Sequence, residues 1–361
     1  MPDELAAEVG LLHGAADITA LPHAWGVPLG SGRLRCNPQD FFVSEYTGLR
    51  LCGHGEHLYL QLRKTGQNTR WVAKRLAEFA GIPYKSVSYA GLKDRHAVTE
   101  QWFSLHLPGA RDPDWKAFKL DGVCIMQACR HDKKLRQGQL SYNRFRIVVR
   151  ECNLKPGVQL ETRMQQLSAN GVPNYFGPQR FGRNSANLDL ILRSSELRRL
   201  KRETRAFAIS SLRAGLFNGY LAKRVAAGNW LEELPGEAIV SDRPRGAAEN
   251  DISVFGAERL PAGVLYGRGV GGAAAQVRDL EEKYFDAFPA VCGALEQVGA
   301  RFSRRVLTAR VGDLQWRYDD DALHVEFVLG PGAFATAVLR EVVDADDQAL
   351  ALMEGTDDRN S

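Results

Sequence analysis

An aspartate between two cations on a glycine-opened loop is the residue set in this chain best suited to chemistry. It lies in Tyr89-Ala-Gly91-Leu-Lys93-Asp94-Arg95-His96-Ala-Val-Thr99-Glu-Gln101-Trp102. Opposite charges on both sides favour the ionised carboxylate, which makes Asp94 a nucleophile rather than a general acid. The plainer alternative is a salt-bridged surface turn. A second segment, Asn174-Tyr-Phe176-Gly-Pro-Gln179-Arg180-Phe181-Gly182, interleaves aromatics, amides and a cation. That combination suits stacking on unpaired bases and hydrogen bonding to them. Its alternative is a glycine-rich turn with buried aromatics.

Three other patterns lead nowhere. Gly267-Arg-Gly269-Val-Gly-Gly272 has dinucleotide-type glycine spacing, but Pro261 and Gly263 interrupt the strand that must precede it and no strand is expected beyond Phe288. No nucleotide cofactor is therefore expected. His54-Gly-Glu56-His57 has metal-like spacing, yet Gly53 and Gly55 argue for a turn. With no cluster elsewhere to complete the ligand set, no metal is expected. No G-x-S-x-G elbow marks a hydrolase.

The elements that must position Asp94 follow from periodicity. Alternation predicts strands over Phe41–Tyr46, with Phe41, Val43 and Glu45 on one face, and over His57–Arg63, Gln101–Leu107 and Arg144–Arg150, the last with a basic outer face. Helical spacing predicts a helix over Asn68–Ala80, capped by Asn68 or Thr69, burying Val72, Leu76, Phe79 and Ala80. Residues 1–32 read as loosely ordered. From near Gly171 the pattern turns helical and basic through Ala227, Leu231–Asn250 reads as a loop, Gln276–Phe288 as a helix, and strand signals return at Val325, Phe327 and Leu329. A β-rich segment, a helical one and a β-rich return predict an α+β domain interrupted by an insertion.

At 361 residues the chain has room for about two domains. With 44% hydrophobic and 25% charged residues the composition is globular, which excludes collagen, coiled coil and wholesale disorder. No apolar run approaches the roughly 18 residues of a membrane span, and the acidic N-terminus lacks an export pattern. Six scattered cysteines without a C-x-x-C pair fit the reducing cytoplasm. The net charge is only +4, but residues 130–150 hold seven Lys/Arg against one acid and residues 183–224 hold ten against three, whereas the tail from Arg340 is acidic. Clustered cations in a near-neutral chain imply a polyanionic partner such as RNA or DNA; solvated helix faces are the alternative.

These segments, taken in order, resemble the TruD family of tRNA pseudouridine synthases. The matching blocks are Pro38 to Glu45, Asn68-Thr69, Ala90 to Trp102, His131 to Arg136, Asn143 to Phe145, Asn174 to Gly182, Gly332 to Thr336, and Arg340-Glu341. The Lys-Asp-Arg block is the most specific of them. The resemblance implies a cytoplasmic isomerase, a monomer, acting on tRNA at uridine 13 of the D stem. It also implies a pseudouridine-synthase core with a central mixed sheet, made of residues 1–170 and 309–361, and an inserted α+β domain over residues 171–308 that forms the second arm of a V-shaped cleft. Asp94 matches the catalytic aspartate. Substrate and product contain the same atoms, so no cofactor is required. The carboxylate can add to C1′ or to C6 of the base, and the uridine must leave its stack to be reached.

Further roles come with the resemblance. Phe41 is expected to stack on or pack against the flipped base, Asn143 to hydrogen-bond the uridine, and Phe334 to wall the pocket. Glu45 is expected to orient a cation near Asp94 or else to sit as a solvent-facing edge charge. Lys93, Arg95 and Arg180 are supporting residues, the first two contacting phosphate or pairing with carboxylates. The 183–224 cations are expected to grip the RNA backbone. Three positions depart from the family pattern: Arg35 stands for the usual Lys, Gln39 for Glu, and Tyr142 for a Gly before Asn143. The rival from a different class is an RNA-binding module without catalysis, against which the intact Asp94 block argues.

Overall fold

Two-residue alternation builds the strands of the first half of the chain, and helical spacing dominates the segment that follows. The computed structural model describes residues 2–348, apart from 183–184, 195–196, 242–258 and 270. The strands are β1 (Ser31–Leu34), β2 (Phe41–Tyr46), β3 (His57–Thr65), β4 (Val87–Tyr89), β5 (Val98–His106), β6 (Val123–His131), β7 (Tyr142–Arg150), β8 (Val172–Pro173), β9 (Ile239–Ser241), β10 (Arg259–Leu265), β11 (Ser303–Val306), β12 (Thr308–Ala309), β13 (Gly312–Asp319), β14 (Ala322–Leu329) and β15 (Asp344–Asp347). The helices are α1 (Pro2–Ala16), α2 (Thr69–Phe79), α3 (Val158–Asn170), α4 (Ala186–Ser194), α5 (Arg202–Ala226), α6 (Ala275–Phe285), α7 (Pro289–Gln297) and α8 (Ala335–Leu339).

The main sheet runs β13-β14-β7-β2-β5-β3-β6, with β1 beside β7, β15 beside β1, and β4 beside β5. β2 pairs parallel with β5 and β1 with β15, while the other pairings are antiparallel, so the sheet is mixed. Register along β2 sets Glu45 opposite Asn143 and Phe41 opposite Ile147 on β7. One face of β7 is apolar as expected, with Phe145, Ile147 and Val149 buried. The arginines of its other face are engaged: Arg144 with Glu326 and Asp313, Arg150 with Asp40, and Arg146 over the Phe42 ring. Asn143 lies within this strand, and its neighbour Tyr142 stacks on Tyr46 at 4.6 Å.

α2 starts as read, with the Asn68 side chain accepting from the Arg70 N–H. Val72 and Leu76 are buried, but Phe79 is 38% exposed, its ring lying against Trp115 and Phe118. The N-terminal region departs from its expected looseness. Leu5, Val9, Leu12 and Ala16 are buried along one stripe of α1, spaced by four, three and four residues as one helix face requires. α1 lies on α4, α5 and α7. Its approach to α5 is close, since a Cβ on Gly215 would sit 3.3 Å from Leu12.

Between residues 171 and 308, the 25-residue α5 carries the apolar face for α1, α4 and the small sheet β11-β10-β9. Pro261 and Gly263 lie inside β10 and do not interrupt a strand. β10 is antiparallel to both neighbours, whereas a dinucleotide crossover needs parallel strands. β8 and β12 pair with each other, Pro173 opposite Thr308 and Val172 opposite Ala309, so the chain enters and leaves this segment side by side. The Leu231–Asn250 loop lies outside the described residues from 242 onward. Among the described residues no helix is long and apolar enough to cross a membrane.

Candidate active site

The loop between β4 and β5 carries Asp94, and buried polar groups hold it from beneath. Lys64, on β3, is fully buried, and its ammonium donates to the carbonyls of Gln67 at 2.9 Å and Asp94 at 3.0 Å. Burial pushes its pKa down to about 8, against the raising influence of Asp94. The Thr69 hydroxyl donates to Gln101 Oε1 at 3.1 Å and accepts the Lys93 N–H at 3.1 Å. Gln101 in turn donates to the Gly91 carbonyl. The loop backbone is thus pinned at Gly91, Lys93 and Asp94.

The Asp94 carboxylate remains partly open, its side chain 15% exposed. Oδ1 accepts the N–H of His96 at 2.9 Å. Oδ2 faces two donors at 3.3 Å, Arg35 Nη2 and Gln179 Nε2. Arg35 holds a left-handed backbone with φ 57°, an uncommon conformation for a residue with a side chain. Its guanidinium, almost fully buried, also donates to Asp347 at 2.7 Å and lies 4.2 Å over the Phe41 ring. Phe41 is buried, edge-on to Phe145, with the Arg35 guanidinium over its ring.

Lys93 turns away from Asp94. Its ammonium pairs with Glu45 at 2.9 Å and donates to Asn143 Oδ1 at 2.7 Å. The Glu45 side chain is fully buried and also accepts the Trp102 N–H. Glu45 and Asn143 face each other because of the β2–β7 register. Arg95 is exposed and donates to the Gly66 carbonyl.

Phe334 and Arg180 meet a different centre. Phe334 caps the start of α8 and lies edge-on to Phe176 at 6.2 Å. Arg180 lies over the same ring at 5.1 Å and donates to Ser210 on α5. Gly177 leaves room for Phe334, whose ring carbon would be only 3.2 Å from an added Cβ. Asn218 holds this loop from α5: it accepts the Phe176 N–H and donates to the carbonyls of Phe176 and Ala15. Gln179, on the turn between Phe176 and Arg180, is what extends from this loop to Asp94.

Asp94, Arg35 and Phe41 therefore form one contact chain, Lys93, Glu45 and Asn143 a second, and Phe334 and Arg180 a third about Phe176. Lys64 and Asp347 carry no local sequence signal, and Gln179 is marked only by the segment suited to base contacts that contains it. The matched pair Arg340–Glu341 lies elsewhere: buried Glu341 accepts the N–H groups of Ala24 and Trp25, and burial raises its pKa. A groove of about 540 Å³ on the sheet, lined by Phe42, Arg63, Arg146 and Trp316, does not include Asp94. By alternation along β2 it opens on the face opposite Phe41.

The mixed sheet presents one partly open aspartate, clamped by a guanidinium and met by an amide. Likeness to known proteins identifies the class as the pseudouridine synthases. The family model for tRNA pseudouridine synthase D (TruD) matches residues 22–194 and 192–342. The tRNA pseudouridine synthase D of Methylococcus capsulatus is 40% identical over 340 residues, covering 91% of this chain and 95% of that protein. That of Stutzerimonas stutzeri is 41% identical over 338 residues, covering 91% and 97%. A Methanosarcina mazei protein of known crystal structure shares the fold, with a TM-score of 0.65 at 18% identity over 89% of this chain and 95% of that one. The chain belongs to the tRNA pseudouridine synthase D (TruD) family, which is a family of isomerases.

Proposed function

We propose that this chain isomerises uridine to pseudouridine in tRNA, at position 13 of the D stem, with Asp94 as the nucleophile and no cofactor. The observation that carries this reading is the Asp94 carboxylate itself, backbone-pinned, oriented by Arg35, Gln179 and the His96 N–H, and still partly open. The N1–C1′ bond breaks, the base turns, the C5–C1′ bond forms, and the C5 proton leaves to water. Asp94 attacks at C1′ or C6, and preorganisation spares it reorientation in the transition state.

Asn143 hydrogen-bonds the flipped uridine, and Phe334 walls the pocket on the side of Phe176. Phe41 backs the base through Arg35. The Glu45–Lys93 pair fixes the loop and its cationic neighbour. Arg95, exposed beside the site, contacts phosphate, and Arg180 keeps Phe176 and the Gln179 turn in place. Residues 171–308 act as an inserted domain that forms the second arm of the tRNA cleft, with 1–170 and 309–361 as the catalytic domain. The side-by-side pairing of β8 and β12 supports that division, and α1 of the catalytic part packs across it on α4, α5 and α7. The enzyme works in the cytoplasm as a monomer.

Tritium release from tRNA transcripts labelled at uridine C5 tests the reading. Release by wild type is expected, with none from Asp94→Asn and none when position 13 is cytidine. Release that survives the cytidine change moves the target. A folded, tRNA-binding protein that releases nothing from any transcript is a binding module and not an enzyme.

A further inference from the structure

Away from Asp94, four side chains with metal-binding atoms gather where the turn before β3 meets the end of β6. The turn carries Cys52 and His54, and β6 ends at His131, followed by Asp132. The backbones touch closely. Gly53 donates to the Arg130 carbonyl at 3.0 Å, and Gly55, at φ 109°, lies where an added Cβ would be 2.5 Å from the His131 carbonyl oxygen. Cys52 Sγ lies 3.3 Å from His131 Nδ1, and Asp132 Oδ1 lies 3.4 Å from that same nitrogen. The ligand atoms of Cys52, His131 and Asp132 all fall within 4.8 Å of one another. His54 Nδ1 is 3.9 Å from the sulfur but lies outside that close group.

The geometry separates two kinds of chemistry. A thiol–imidazole–carboxylate relay needs the carboxylate on the ring nitrogen that the thiol does not use. Here thiol and carboxylate converge on one nitrogen, which carries at most one proton and cannot serve both as a hydrogen-bond relay. Convergence on one point is what a metal ion requires. Tetrahedral zinc, with Zn–S about 2.3 Å and Zn–N and Zn–O about 2.0–2.1 Å, sets S···N near 3.6 Å and N···O near 3.3 Å. The two edges at His131, 3.3 Å to the sulfur and 3.4 Å to the carboxylate, lie within about 0.3 Å of those values. One sulfur, two imidazoles and one carboxylate select a zinc-type ion over magnesium or calcium, which take oxygen sets. The His131 ring is largely buried and held edge-on to Tyr59 at 5.4 Å, so one ligand is preset. His54-x-x-His57 does not chelate, because His57 sits on β3 and stacks on His106. The ligand set that sequence spacing left incomplete is completed from β6, 79 residues from Cys52.

We propose that Cys52, His131 and Asp132 hold one zinc-type divalent ion, with exposed His54 turning in from the same loop as the fourth, tetrahedral ligand. On binding, Cys52 gives its thiol proton to solvent and the sulfur becomes a thiolate ligand. The ion clips the turn before β3 to the start of the basic stretch Lys133–Arg136. The site is independent of Asp94.

The reduced, metal-stripped full chain titrated with Co²⁺ tests this by absorbance. A thiolate-to-cobalt charge-transfer band and intense tetrahedral visible bands are expected to saturate at one Co²⁺ per chain, and Zn²⁺ should abolish them. Cys52→Ser should lose the charge-transfer band, Asp132→Asn should shift saturation to higher Co²⁺, and His54→Ala should lose the tetrahedral visible pattern. No thiolate band in wild type, or an undiminished band in Cys52→Ser, overturns the site. Tetrahedral bands unchanged in His54→Ala remove His54 from it. Should a variant misfold, alkylation of wild type decides: Zn²⁺ should protect Cys52 and leave exposed Cys124 reactive, and equal labelling of both overturns the proposal.

Discussion

Removing the Gln179 side chain should slow chemistry without unfolding the protein. Its Nε2 donates to Asp94 Oδ2 at 3.3 Å, and the residue is exposed. Gln179→Ala leaves no buried group unpaired, so stability should change by less than about 0.5 kcal/mol. A hydrogen bond to a charged group contributes about 1.5–3 kcal/mol when short, and the length and exposure here argue for about 1–2. If that energy orients the carboxylate, the single-turnover rate should fall by about 5–30-fold with tRNA affinity unchanged. Gln179→Glu should be worse, because it sets a like charge beside Asp94 at a cost of up to about 4 kcal/mol at an effective dielectric of 20. The assay is single-turnover tritium release at saturating enzyme, alongside thermal melts and tRNA binding by filter retention. A Gln179→Ala rate within about twofold of wild type, or a loss confined to binding, would refute the orienting role.

Three further outcomes are expected. Arg35→Ala should lose about 3–5 kcal/mol in urea titrations, because it strips the shared cation from two partly buried carboxylates and uncovers Phe41, whereas Arg35→Lys should lose about 1–2 kcal/mol and keep turnover. Lys64 has a folded pKa near 8, below its unfolded value of 10.5, so the unfolded chain holds the extra proton between those pH values. Stability relative to Lys64→Met should therefore rise by about 3 kcal/mol as pH climbs through that window, and a flat difference in urea midpoints across it contradicts the burial argument. Asn218→Leu should destabilise by about 2–4 kcal/mol, since it leaves the buried Phe176 N–H and the Phe176 and Ala15 carbonyls unpaired; a melt within a degree or so of wild type argues otherwise.

Much of the scaffold is legible in local pattern. Strands β2, β3, β5 and β7 and helix α2 follow from two-residue and helical spacing, because each presents an apolar face to a core, β2 and β7 to one and β3, β5 and α2 to another. α1 carries the same helical signal, but glycines at 10 and 14 and the Gly- and Pro-punctuated stretch after it mask the signal. β10 shows the converse, where Pro261 and Gly263 are accommodated within a short three-stranded sheet. The site divides the same way. Asp94 stands out because its neighbours in sequence carry charge. Lys64, Gln179 and Asp347 do not, because their partners at the site lie 30, 85 and 312 residues away and only the tertiary fold brings them together. The cluster at Cys52 escapes spacing rules for the same reason.

The pairing of β1 with β15 bears on how the enzyme is made. Arg35 follows the first strand of the sheet, and its second anchor, Asp347, ends the last described one. A ribosome adding about 5–20 residues per second needs roughly 15–60 seconds between them. Throughout that interval the guanidinium has no Asp347 to hold, so its second anchor forms only once residue 347 has been made. A chain cut before that residue keeps Asp94 and Arg35 but lacks the second carboxylate that holds the guanidinium in place.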